Sequence, residues 1–134
     1  MTQRTYFKLS VYSVLLVVTV IFYIWWLSFN NSRYRDYERL GDLKVIQAVM
    51  ADYFAQFNTY DIPQCIVGSA INTCSGDDFG PLAALGLKDP INSGSYRYVM
   101  SSFSANDFQI DFSFENNISG LAAGRHSLTQ SGIR

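Results

Sequence analysis

Asp107-Phe108-Gln109-Ile110-Asp111-Phe112-Ser113-Phe114-Glu115 alternates strictly between polar and apolar side chains. Successive side chains of a strand point to opposite faces. Phe108, Ile110, Phe112 and Phe114 therefore share one apolar face, and their neighbours share a wet one. Before this strand, residues 95–101 read as a first strand, with 102–106 as a hairpin loop. After it, Asn116-Asn117 is a turn, and 125–129 reads as a short third strand. The sheet is small and antiparallel, and its apolar face needs a cover.

The cover lies upstream. From about 32 to 58 the chain has helical periodicity, with Leu43, Ile46, Met50, Tyr53 and Phe57 at steps of three and four. Leu40, Val49 and Phe54 widen the stripe, and Asp42, Lys44, Gln47 and Gln56 occupy other sides. Gly41 is a weak point, costing about 1 kcal/mol relative to Ala. Tyr60-Asp61-Ile62-Pro63 stops the helix, because a residue before proline is pushed towards extended geometry. Stripe and strand face together predict an α+β fold, a long amphipathic helix packed on a small antiparallel sheet. A short helix is expected at 81–85, with turns at Asp89-Pro90 and Asn92-Ser93-Gly94.

Further upstream, residues 9–29 form a run of 21 residues without charge, proline or glycine. As a helix it would be about 31 Å long, the thickness of a bilayer's hydrocarbon core. Its Leu, Ile, Val and Phe residues, at roughly −0.3 to −0.6 kcal/mol each, favour insertion by several kcal/mol. Leu9, Leu15, Leu16, Ile21, Trp25 and Trp26 mark this anchor. Tyr23, Trp25 and Trp26 gather at one end, at the level that suits headgroups. Arg4 and Lys8 precede the run, but no small-x-small cleavage site follows it, so it reads as an uncleaved signal anchor. A break or bend is expected at Asn30-Asn31-Ser32, where this helix meets the next. The organisation is then a cytoplasmic tail at 1–8, a transmembrane helix at 9–29 and an exported domain at 30–134. Basic residues flank the run on both sides, so the short tail and long domain set the orientation: N-terminus in the cytoplasm, C-terminal domain outside, single-pass in the cell membrane.

The net charge of −1 gives no bulk attraction to nucleic acid, and no nucleic-acid partner is expected. The two cysteines, Cys65 and Cys74, both follow the anchor. In an exported domain such a pair reads as a disulfide. Closing so short a loop is worth about 2.5–3 kcal/mol in the chain-entropy model.

Three segments carry a resemblance. The first is Arg35-Asp36-Tyr37-Glu38-Arg39-Leu40-Gly41-Asp42-Leu43-Lys44-Val45-Ile46-Gln47-Ala48, followed by Tyr53-Phe54 and Tyr60. The second is Asp89-Pro90 followed by Tyr96-x-Tyr98. The third is Gly124-Arg125-His126-Ser127-Leu128-Thr129-Gln130-Ser131-Gly132-Ile133. In this order they resemble the first helix, the entry into the sheet and the closing segment of type IV pilins and type II secretion pseudopilins. The resemblance implies a structural subunit or accessory of a type IV pilus-like or type II secretion-like filament apparatus. Its partners would be the lipid bilayer, other pilin-like subunits and an assembly platform protein. The chain departs from that family at its beginning. No glycine precedes Phe7 and no glutamate lies in the apolar run, whereas pilins carry both for leader removal and assembly. That departure keeps open a second reading, a single-pass, membrane-anchored surface module with a pilin-like fold that binds another partner without polymerising.

No catalytic constellation emerges, and neither enzyme activity nor a cofactor is expected. His126, the only histidine, has no evident nucleophile beside it in sequence. Asp77, Asp78, Asp89, Asn92 and Asp107 supply hard oxygen atoms in loops. Their spacing is not that of an EF-hand, and they read as solvated turn residues rather than a metal site.

Overall fold

The computed structural model describes residues 3–74 and 86–134, with side chains from Ser10 onward. The expected helix at 81–85 and the aspartates Asp77 and Asp78 lie outside the described residues. The chain forms two compact units, Met1–Tyr34 and Arg35–Arg134. One helix, α1 (Gln3–Phe57), contributes to both.

In the first unit α1 is apolar on all sides. Among the described residues, it is the one helix long and apolar enough to cross a membrane. Its most apolar window has a mean hydropathy of 2.1 and no buried residue. Leu15, Leu16, Ile21, Trp25 and Trp26 are all exposed, and Leu9 lies within α1. Hydroxyls along the run bond back to the helix, Ser13 Oγ to the Ser10 carbonyl and Thr19 Oγ1 to the Leu15 carbonyl, both at 2.8 Å. This removes most of the cost of placing them among hydrocarbon. The helix is not broken at Asn30-Asn31-Ser32: α1 runs through these residues without interruption. Asparagine and serine weaken a helix by only tenths of a kcal/mol, unlike proline, and Ser32 Oγ spends its hydrogen on the Phe29 carbonyl at 2.9 Å.

The second unit is an α+β domain. The rest of α1 contacts a four-stranded antiparallel sheet of order β1-β2-β3-β4: β1 (Val99–Phe103), β2 (Phe108–Phe114), β3 (Gly124–Thr129) and β4 (Gly132–Ile133). Leu43, Ile46, Met50 and Tyr53 are buried in one core with Phe108, Ile110, Phe112 and Phe114. Tyr60, Ile62, Cys65, Ile71, Cys74, Tyr98, Met100, Ile118 and Leu128 complete it. Phe57 is the exception. It is the last residue of α1, it is 41% exposed, and it lies against the Tyr53 ring at 4.7 Å, because the helix ends beyond the reach of the sheet-facing core.

Strand boundaries differ from the alternation reading. β1 starts at Val99 rather than 95, because Ser93 and Tyr96 close a turn around Gly94 (φ 58) before the strand begins. β1 also ends later, at Phe103, so the hairpin loop is shorter than expected, closed by Ser104 N–H donating to the Asp107 carbonyl at 2.8 Å. The pairing shifts register between Met100 and Ser102, so Ser101 is a bulge. β4 is absent from the sequence reading, its two residues being too few for any periodicity. The outward face of β2 is also drier than expected. Asp111 and Ser113 are buried, and Asp111 accepts hydrogen bonds from Ser101, Gln109, Arg125 and Ser127. Burial works to raise the Asp111 carboxyl, but these hydrogen bonds outweigh it and hold its pKa below the usual value.

Cys65 and Cys74 are joined as a disulfide, with their Cα atoms 4.4 Å apart. The bridged loop runs beside β1, where Gly68 N–H donates to the Met100 carbonyl at 2.7 Å and Ile71 N–H to the Tyr98 carbonyl at 2.9 Å.

Candidate functional site

The densest polar arrangement is built on the domain's part of α1. Arg35, Asp36, Arg39 and Asp42 recur at helical spacing, so one side of the helix carries alternating charge. The chain returns to that side twice, at Asp89 and at Glu115, just beyond the end of β2.

Arg39 is the centre, and it is fully buried. Its Nε donates to Asp89 Oδ2 at 2.6 Å and its Nη2 to Asp89 Oδ1 at 3.1 Å, a bidentate pair. Its Nη1 donates to Asp36 Oδ1 at 2.6 Å and to Glu115 Oε1 at 2.8 Å. The Tyr96 ring lies 4.9 Å from the guanidinium carbon. Asp36, also fully buried, accepts from the backbone N–H of Glu115 and of Asn116, at 3.0 and 2.9 Å, and from Asn116 Nδ2. Arg35 grips Glu115 with Nε and Nη2 at 2.8 and 2.6 Å. Asp89 also accepts from Ile91 N–H at 2.8 Å, which shapes the turn after Pro90. Every buried side-chain nitrogen and oxygen among the described residues has a partner.

The electrostatics follow from this geometry. Burial works against the Arg39 charge, yet the hydrogen bonds to Asp89, Glu115 and Asp36 outweigh it and raise its pKa. The Arg35 hydrogen bonds hold the Glu115 carboxyl below its ordinary range, against the opposing effect of burial. One turn further along α1, Tyr98 Oη donates to Asp42 Oδ2 at 2.8 Å. Burial lifts the Asp42 carboxyl above its usual value despite that bond, and burial together with the Asp42 charge pushes the Tyr98 phenol up.

Such a cluster ties helix, turn and strand end together. Each carboxylate oxygen of Asp36, Asp89 and Glu115 accepts at least one hydrogen bond from an arginine, a backbone N–H or Asn116. Asp107 bonds the Phe108 N–H at 2.9 Å. No group of three or more potential metal ligands occurs among the described residues. His126 sits against Phe112 and Phe114, with Nδ1 3.1 Å from the Arg134 carbonyl and Nε2 2.7 Å from the Ala122 carbonyl. Both ring nitrogens are occupied by backbone, with no nucleophile in the set.

The structure thus brings together residues from two of the three sequence segments that carried the resemblance: Arg35, Asp36, Arg39 and Asp42 with Asp89, Tyr96 and Tyr98. Sequence reasoning missed Glu115 and Asn116 as their partners. The available signal was a carboxylate and an amide immediately after a strongly apolar strand, where the chain leaves the sheet beside the helix. Comparison of the chain with protein-family models, with curated proteins and with solved structures returns no significant match.

Proposed function

We propose that this chain is a single-pass, membrane-anchored structural protein of pilin-like build, a subunit or accessory of a type IV pilus-like or type II secretion-like filament apparatus. One observation carries the reading: a single helix that is uncovered and apolar over its first part and supplies the core stripe of a small α+β domain over its last. The uncovered surface calls for hydrocarbon or for helices of other subunits. The disulfide suits an extracytoplasmic domain. In this reading the N-terminus is cytoplasmic, the role is mechanical rather than catalytic, and the arginine-centred cluster keeps the helix fixed to its sheet under load.

The missing glycine before Phe7 and the missing glutamate in the run favour a second reading, an anchored module that does not polymerise. Cysteine pairs introduced along Leu15–Trp25 separate the two in native membranes. Oxidative cross-linking into ladders beyond the dimer supports assembly through the helix, and monomers alone favour the module. Release of the chain by carbonate washing would refute both.

A further inference from the structure

β2 is paired along its length on one side only. β3 accompanies it from Gln109 to Phe114, whereas β1 leaves it beyond the Val99–Asp111 pair. The chain before Val99 turns away at the Ser93–Tyr96 turn, and Tyr96 is held over Arg39. The direction of each backbone group follows from the neighbouring bonds. Ser127 exchanges both of its hydrogen bonds with Arg134, at 3.1 and 2.9 Å, so they point away from β2. In an antiparallel ladder the direction alternates. His126 and Gly124 therefore bond Phe112 and Phe114, and Ser113 turns its N–H and C=O to the side that β1 has left. No backbone partner meets them among the described residues, although Ser113 is only 6% exposed. Beside them opens a groove of about 410 Å³, lined in part by Ser95, Arg97, Ser113 and Arg125.

We propose that this groove binds an extended acidic peptide segment of a partner protein. The segment pairs with Ser113 as an added strand and lays a carboxylate between Arg97 and Arg125. A strand edge whose donors and acceptors meet no backbone partner among the described residues, and which lines a groove, is a template for one more strand. Charge selects its chemistry. Arg97 is exposed and forms no ion pair among the described residues. Arg125 spends Nη2 on Asp111 at 2.5 Å, while its side chain stays 77% exposed. With Asp111 the only acid in the lining, the groove carries one net positive charge. The proposal rests on the domain alone and is independent of the filament reading.

The test is amide hydrogen exchange at Ser113 in the full chain in detergent micelles. Three acetylated, amidated probes are compared: Thr-Val-Glu-Val-Thr, its lysine-for-glutamate counterpart, and a backbone N-methylated form of the acidic peptide. At saturation the acidic peptide should slow Ser113 exchange by about tenfold or more, and the other two should not. Arg97→Glu, at an exposed side chain in no ion pair among the described residues, should leave melting unchanged, abolish the effect of the acidic peptide and confer one on the lysine peptide. Equal protection by the N-methylated peptide would overturn strand addition. Protection of Ser113 in the free chain would also refute the proposal: if concentration-dependent, it assigns the edge to a second copy, and if not, to the chain itself.

Discussion

Replacing Arg39 by methionine tests the arginine-centred cluster most directly. The substitution keeps roughly the length of the apolar stem and removes all four hydrogen bonds to carboxylates. Asp36 would keep its donors from Glu115 and Asn116, Asp89 would keep the Ile91 N–H, and Glu115 would keep Arg35. None would be stripped of hydrogen bonds, but three carboxylates would converge with one cation in place of two. Removing one partner of a buried pair costs about 3–5 kcal/mol. A domain of this size is stable by about 5–15 kcal/mol in total, and about 1 kcal/mol moves its melting temperature by roughly 4–8 °C. Arg39→Met should therefore lower the melting temperature by about 12 °C or more. Arg35→Met should cost only about 1 kcal/mol, since Arg35 is partly exposed and Glu115 retains Arg39. Near-UV circular dichroism of the full chain in detergent micelles reads the packing of Tyr53, Tyr60 and Tyr98 without relying on backbone helicity. If Arg39→Met melted with the wild type, or if the two substitutions cost the same, the cluster would not be what holds the helix to the turn and strand end.

Four further outcomes are expected. Phe112→Asp or Ile46→Asp should unfold the domain, because each buries an unpaired charge, whereas Gln47→Asp should be tolerated; matching melts for the two classes would contradict the packing of stripe on strand face. Gln109→Asp, harmless on alternation alone, should destabilise by about 1 kcal/mol because it replaces a donor to Asp111 with a second carboxylate. Cys65→Ser with Cys74→Ser should cost about 2–3 kcal/mol, and a non-reduced digest of native protein should show the two peptides joined; free thiols in that digest would refute the bridge. Stability should also depend on acid in two opposite ways. Glu115 and Asp111 have lowered folded pKa values, so their contribution is full above the ordinary carboxylate range and is lost as pH falls through the folded values. Asp42 has a raised value, so its charge costs stability at neutral pH, and Asp42→Asn, which can still accept from Tyr98, should flatten that part of the pH profile in denaturant titrations.

Local pattern was enough for much of this protein. The strict alternation over 107–115 and the stripe from Leu43 to Tyr53 identify a strand and a helix that must meet, because two apolar surfaces in a domain of about a hundred residues have few other places to go. The uncharged run at 9–29 likewise shows its length and composition with no help from packing. Three-dimensional contact decided the rest. Periodicity reports which side chains avoid water, not which charges neutralise one another. Arg39 and Asp36 occupy the charged side of an amphipathic pattern, yet both are fully buried, because Asp89 and Glu115 arrive from 50 and 76 residues away to satisfy them. The same contacts hold Tyr96 against Arg39 and start β1 late, leaving the edge of β2 open at Ser113. Pairings at such separations leave no local period, since they depend on where the folded chain returns.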